Sequence, residues 1–226
     1  MVAILVIPLL LSGGELGVAE GLSGKAKLDA VLGQISAAQA NIRTLSARFR
    51  QTKVSHLLKN PSISEGQFFF AAPDRVRWDY QHPNSFVVLI TAKLMTTYRP
   101  AENLAEKVEL GRNQRKIFAF LSAAEPVSSL TRHFSLTLRD PGGQENYVLI
   151  LRPVTHYIKK RLREVTLVVD RQLFLPVKVS YSEADGDLTT YEFSEIVVNE
   201  ELPQSFFSLD LPAGVRVVEV RLRGAN

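Results

Sequence analysis

The stretch Glu65-Gly-Gln-Phe-Phe-Phe-Ala-Ala-Pro-Asp-Arg-Val-Arg-Trp-Asp-Tyr80 decides the fold. It reads as two strands joined at Ala72-Pro73-Asp74, where the proline ring fixes its own φ for a turn. Side chains alternate across a strand, so Phe68, Phe70, Val76, Trp78 and Tyr80 share one face of this hairpin. The other face carries Gln67, Phe69, Ala71, Arg75, Arg77 and Asp79. Phe69 is the one large ring there, which predicts that a further element covers it. The only Trp of the chain lies in this hairpin, and no reactive group stands on its apolar face.

Upstream, Leu28, Val31, Leu32, Ile35, Ala38, Ile42 and Leu45 recur at steps of three and four, predicting an amphipathic helix over 25–45. The period then becomes two. Leu45, Ala47, Phe49 and Gln51 alternate with Ser46, Arg48 and Arg50, which predicts a strand that adds Phe49 to the aromatic wall beneath the helix. Downstream, strands are expected at 85–90, 94–98, 106–110, 134–139, 147–152, 163–170, 175–182, 189–196 and 215–221. Between the third and fourth of these, Ile117, Phe118 and Leu121 share a face and predict a helix over 112–124, followed by a short helical piece over 128–133 anchored by Leu130 and Phe134. Asp140-Pro-Gly-Gly143 and Asp185-Gly186 read as turns, the Asp-Gly pair being a strong hairpin signal. The expectation is an α+β single domain: a helix, a long antiparallel meander and one helical insertion.

Residues 2–11 are uninterruptedly apolar, and small residues follow up to Gly17-Val18-Ala19. This pattern predicts a signal peptide over 1–19, with 20–226 as the working domain. Ten residues fall short of the roughly 20 that cross a bilayer. No charge precedes the apolar run, and a buried N-terminal strand is the competing reading. The chain has no Cys, so neither a disulfide nor a lipid-modified cysteine is available; an exported soluble monomer is expected. Net charge is +4, and loss of Glu15 with the leader raises it to +5. Basic residues gather at 112–116 and 159–163 without forming a concentrated basic domain, which argues against nucleic acid and for an acidic partner or transient proximity to an anionic membrane. Arg112, Arg115 and Lys116 are the candidates for partner docking; a solvated helix face is the alternative.

His56, His82, His133 and His156 stand far apart, with neither HxH nor HExxH spacing. There is no GxSxG, GxGxxG or GxxxxGK[ST]. Acidic pairs such as Asp185/Asp187 and Glu200/Glu201 fall in turns, where nothing apolar would raise a carboxyl pKa. No catalytic residue, metal or cofactor is expected, and the chain reads as a non-enzyme. On the residues alone the aromatic wall is either a closely packed core or the lining of a cavity.

Three stretches together resemble the periplasmic outer-membrane lipoprotein carrier family, LolA and its relatives. They are Phe49-Arg-Gln51 after an amphipathic helix; Gly66-x-Phe68-x-Phe70 leading into Pro73-Asp-Arg-Val-Arg-Trp78-Asp-Tyr80, with Pro83 and Tyr98-x-Pro100 beyond; and Leu175-Pro176, Asp185-Gly186, Thr189, Phe193, Ile196, Asn199, Leu202-Pro203, Phe207 and Pro212-x-Gly214-Val215-x-Val217. The resemblance implies an unclosed antiparallel β-barrel capped by helices. It implies a cavity for the acyl chains of lipoproteins at Phe68, Phe70, Val76 and Trp78, joined by Leu32 or Ile35 of the lid helix and flanked by Phe49 and Tyr80. It further implies receipt from an inner-membrane ABC-type releasing complex and delivery to an outer-membrane acceptor, in the periplasm. The family's lid-latching Arg before the hairpin Pro is here Ala72, which leaves Arg75 and Arg77 as gating candidates, and its Asp-Gly turn is here Thr91-Ala92. Carriage of another lipid, or an envelope lipid- or stress-sensing module on the same fold, are the alternatives.

Overall fold

The computed structural model describes residues 22–91, 93–110 and 130–220. Helix α1 (Gly24–Ala40) leads into β1 (Thr44–Val54), β2 (Ser62–Ala71), β3 (Arg75–His82), β4 (Phe86–Thr91), β5 (Leu94–Arg99) and β6 (Leu104–Glu109). After the insertion follow β7 (Phe134–Arg139), β8 (Tyr147–Pro153), the single-turn α2 (His156–Lys159), β9 (Leu162–Val169), β10 (Pro176–Glu183), β11 (Leu188–Val198) and β12 (Arg216–Val220). Among the described residues the twelve strands form one unclosed sheet in the order β12-β6-β5-β4-β3-β2-β1-β11-β10-β9-β8-β7. Every pairing is antiparallel except β12 on β6, which is parallel. Asn103 places that last strand: in a left-handed conformation at φ 49°, it accepts from the Arg216 N–H at 2.9 Å and donates from Nδ2 to the Gly214 carbonyl at 2.9 Å.

The helix is shorter than the stripe suggested. It ends at Ala40, where the Asn41 N–H turns back to the Ala38 carbonyl at 3.2 Å, and Leu45 is buried from a strand. Leu45 satisfies both periodicities, and the ladder claims it because β1 pairs on both sides, with Leu45 opposite Val198 and Phe70. The connection is clamped by Asn199, whose side chain accepts from the Arg43 N–H at 2.7 Å and donates to the Asn41 carbonyl at 3.0 Å. The predicted helix over 112–124, and with it Arg112, Arg115 and Lys116, lies outside the described residues, as do residues 1–21. Leu130 and Phe134 are buried as anchors.

Two apolar clusters divide the inner face. Val31 and Ile35 of α1 pack with Leu149, Leu151, Val165, Leu167 and Val179 over the β7–β10 half. The β1–β6 half is filled by Phe49, Phe68, Phe70, Val76 and Ile90, with Ala38 and Ile42 approaching from the end of α1. Phe193 touches both. On the outer face, ion pairs such as Arg50–Glu65 and Lys178–Glu192 meet water, except over β2–β4, where Phe69 lies 5.1 Å from Phe206 and Leu89 packs with Phe207. The element that covers Phe69 is therefore the 3₁₀ turn Gln204–Phe207.

Candidate functional site

The inner wall is assembled by register. Phe68 stands opposite Trp78, Phe70 opposite Val76, and Gly66 opposite both Tyr80 and Phe49. Because Gly66 has no side chain, the Phe49 ring lies across its strand and reaches Trp78 and Tyr80 edge-on, both at 4.9 Å. β11 adds two rings: Trp78 lies 5.1 Å from Tyr191 and 6.0 Å from Phe193. Neither was among the wall residues expected from the sequence. Their alternation with Thr190 and Glu192 was visible; their place beside β1, more than a hundred residues away, was not.

The wall grades from closed to accessible. Phe49, Phe68, Phe70 and Val76 are buried, Phe49 at 2 % exposure. Trp78, Tyr80, Tyr191 and Phe193 are only partly buried although they face inward. Leu32 is also partly buried and Ile35 is fully so, but both pack in the β7–β10 cluster; α1 reaches the aromatic wall through Ala38 instead, and Ile42 follows just beyond its end.

At one end the wall turns polar. The phenols of Tyr80, Tyr181 and Tyr191 lie close enough to influence one another, with Thr189, 1 % exposed, beside Tyr181. Burial above all pushes these phenols up, Tyr191 well above the usual tyrosine value. Beside them Lys53 Nζ lies 3.2 Å from the buried Asp187 carboxylate. The Ser55 hydroxyl, then Lys53, hold that carboxyl below its ordinary range against the effect of burial.

Arg75 and Arg77 belong to the outer face. Arg77 donates to the Phe206 carbonyl at 2.9 Å and to Asp79 at 2.6 Å, and the Arg75 guanidinium lies 5.1 Å from the centre of the Phe207 ring. The contacts of both thus fasten the C-terminal segment, on the side of the sheet away from α1. The attachment of α1 is elsewhere. Lys27 of α1 ion-pairs with Asp140, which is shared with Arg171 and accepts the Gly142 N–H at 3.0 Å. Burial pushes the Asp140 carboxyl up, but those hydrogen bonds outweigh it and hold the pKa at about 2.

The site is thus an unclosed sheet with a helix over its inner face and an aromatic lining on that face. The family described as "Outer membrane lipoprotein carrier protein LolA" matches residues 40–210, and the chain belongs to that family, one of carriers rather than enzymes. It is similar to the outer-membrane lipoprotein carrier protein of Pseudomonas aeruginosa strain UCBPP-PA14, with 23 % identity covering 78 % of this chain and 82 % of the relative. The namesake protein of Bordetella avium is 24 % identical over 85 % of this chain and 88 % of the relative. Among solved structures, a conserved protein from Thermus thermophilus superposes with a TM-score of 0.54 at 11 % identity, over 85 % of this chain and 99 % of that one. MucB superposes at 0.51 and 17 % identity, over 86 % of this chain and 66 % of MucB. These likenesses show the fold.

Proposed function

We propose that the protein is a periplasmic carrier that takes up the acyl chains of lipoproteins against the inner aromatic wall and moves them from an inner-membrane ABC-type releasing complex to an outer-membrane acceptor. In this reading residues 1–19 are a cleaved leader and 20–226 the carrier. The observation that supports it is that Trp78, Tyr80, Tyr191 and Phe193 face the inside of the sheet yet keep part of their surface free. A packed core closes over rings so placed; a wall meant to receive a guest leaves them available.

The energetics fit that role. Moving a chain of ~16 carbons out of water is favourable by on the order of 12 kcal/mol, at about 0.8 kcal/mol per methylene. A lipidated protein therefore needs an apolar shelter to cross an aqueous space. Flat rings give area without demanding one shape, which suits cargo that must later leave. The hydroxyls of Tyr80 and Tyr191 can meet the ester or amide groups where the acyl chains begin.

Native mass spectrometry of the mature chain, purified gently from a bacterial periplasm, tests the reading. Acylated protein riding on the wild type supports lipoprotein carriage; a free lipid adduct points to another lipid cargo; a bare chain under all conditions rejects carriage.

A further inference from the structure

Three connections meet at the end of the sheet where β1, β8 and β10 finish. They are residues 55–61 between β1 and β2, residues 184–187 between β10 and β11, and residues 154–161, which include α2. Val54 stands opposite Leu188 across the β1–β11 pair, the Ala184 N–H donates to the Arg161 carbonyl at 2.9 Å, and the Arg163 guanidinium donates to the Ala184 carbonyl at 2.6 Å. The three are thus one continuous surface.

That surface is unusual in what it shows to water. Leu57 is 81 % exposed, with Leu58, Val54, Ile63 and Leu188 exposed around it, and Val154 and Tyr157 exposed on the α2 side. His56, Lys59, Lys159, Lys160, Arg161 and Arg163 are exposed among them. Among the described residues the acids at this end are Glu164, paired with Arg152, and Glu183, Asp185 and Asp187, the last buried and already bound to Lys53. Clustered exposed apolar side chains mark an interaction site, and a basic surround selects a negative partner.

We propose that this end of the sheet docks on an anionic lipid bilayer, with Leu57 and Leu58 entering the acyl region and Lys59, Lys159, Lys160 and Arg161 lying against headgroup phosphates. The apolar groups are carried on loop tips rather than on a flat face or in a groove. Tips of that kind suit a medium that yields, whereas a stable protein partner needs a patch of about 800 Å² on each side. Tyr157, with Arg161 at 5.3 Å from its ring centre, has the mixed character favoured at the headgroup level. The inference rests on the carrier reading, since both the releasing complex and the acceptor stand in membranes that the carrier approaches, but its test needs no cargo.

The test is flotation of the mature chain with vesicles of phosphatidylglycerol and phosphatidylcholine, against vesicles of phosphatidylcholine alone. The wild type should float with the anionic vesicles and be released by salt. L57D/L58D and K159E/K160E should each reduce the floated fraction at least about fivefold, from the loss of insertion and of headgroup attraction respectively. V197D, an exposed change at the opposite end of β11, should leave it unchanged. The proposal is overturned if the wild type stays in solution, if it floats equally with neutral vesicles, or if both double variants float like the wild type. Cargo loading of the same variants, read by mass spectrometry, separates the two readings: loss of flotation with cargo retained is expected, and a wild type that floats yet never carries cargo rejects the carrier reading alone.

Discussion

The ring of Phe49 occupies the space that a side chain at Gly66 would need. A Cβ built on Gly66 falls 2.9 Å from Phe49 Cε1 and 2.0 Å from the carbonyl oxygen of Asp79. The second distance is to backbone, so the strand itself would have to move. Gly66→Ala is expected to destabilise the protein by about 2–4 kcal/mol, as overpacking against fixed atoms does. Urea unfolding measures it. Trimming the ring with Phe49→Leu in the same chain should not restore stability, because the Asp79 carbonyl remains in place.

Trp78 is the ring whose loss should separate folding from binding. It faces inward but is only partly buried, so Trp78→Glu can hydrate its carboxylate while spoiling the apolar wall. A folded chain without acyl cargo is the expected result, read by circular dichroism and native mass spectrometry side by side. Val76→Glu should also abolish loading, but with a stability loss on the order of 3–5 kcal/mol, since Val76 is buried and its carboxylate would have no partner. Normal loading by a folded Trp78→Glu protein would mean that the cargo surface lies elsewhere.

Asp140 ties α1 to the sheet through Lys27. Its pKa in the fold, about 2, is below that of a free carboxylate, so its contribution is present in full above the ordinary carboxylate range and is lost as pH falls from about 4 through 2. Asp140→Asn should lower stability at pH 7 by on the order of 1 kcal/mol and flatten the acid limb of the stability profile. Thermal melts between pH 2 and 7 decide this. An unchanged acid limb would assign the acid sensitivity to other carboxylates.

Arg77 gives a contrasting expectation. Its hydrogen bond is to the Phe206 carbonyl on the outer face, so Arg77→Ala should loosen the 202–209 segment rather than alter cargo release. Limited chymotrypsin digestion should cut at Phe206 or Phe207 several times faster in the variant. Faster cargo loss with unchanged cleavage would return Arg77 to a gating role.

What the sequence disclosed followed its local periods. The hairpin around Pro73, the alternating strands and the Asp185-Gly186 turn are written in neighbouring residues, as is the pairing of Phe68 with Trp78. The stripe on α1 was legible too, though its end was not, because Leu45 fits a helix and a strand equally. Long-range choices were hidden. Nothing near Tyr191 or Phe193 announces β1 as their neighbour, and nothing near Val217 announces a parallel partner in β6. The outward aim of Arg75 and Arg77 was plain from alternation; that they would grip residues 206–207 depends on how the C-terminal segment crosses the sheet.

The strand order also has a kinetic meaning. From β1 to β6, and again from β7 to β11, each strand pairs with its neighbour in sequence, so two ribbons can form from local contacts alone. They are joined where residues 44–54 meet 188–198, and at the far edge where β12 returns to β6. Closing loops of that length is the slow part of folding, because the entropy is lost before the contacts are gained. The inner wall, drawn from both sides of the β1–β11 seam, therefore comes into being only after nearly all of the chain is available. A chain arrested earlier would expose half a wall of rings to water, with the free edge of β1 beside it.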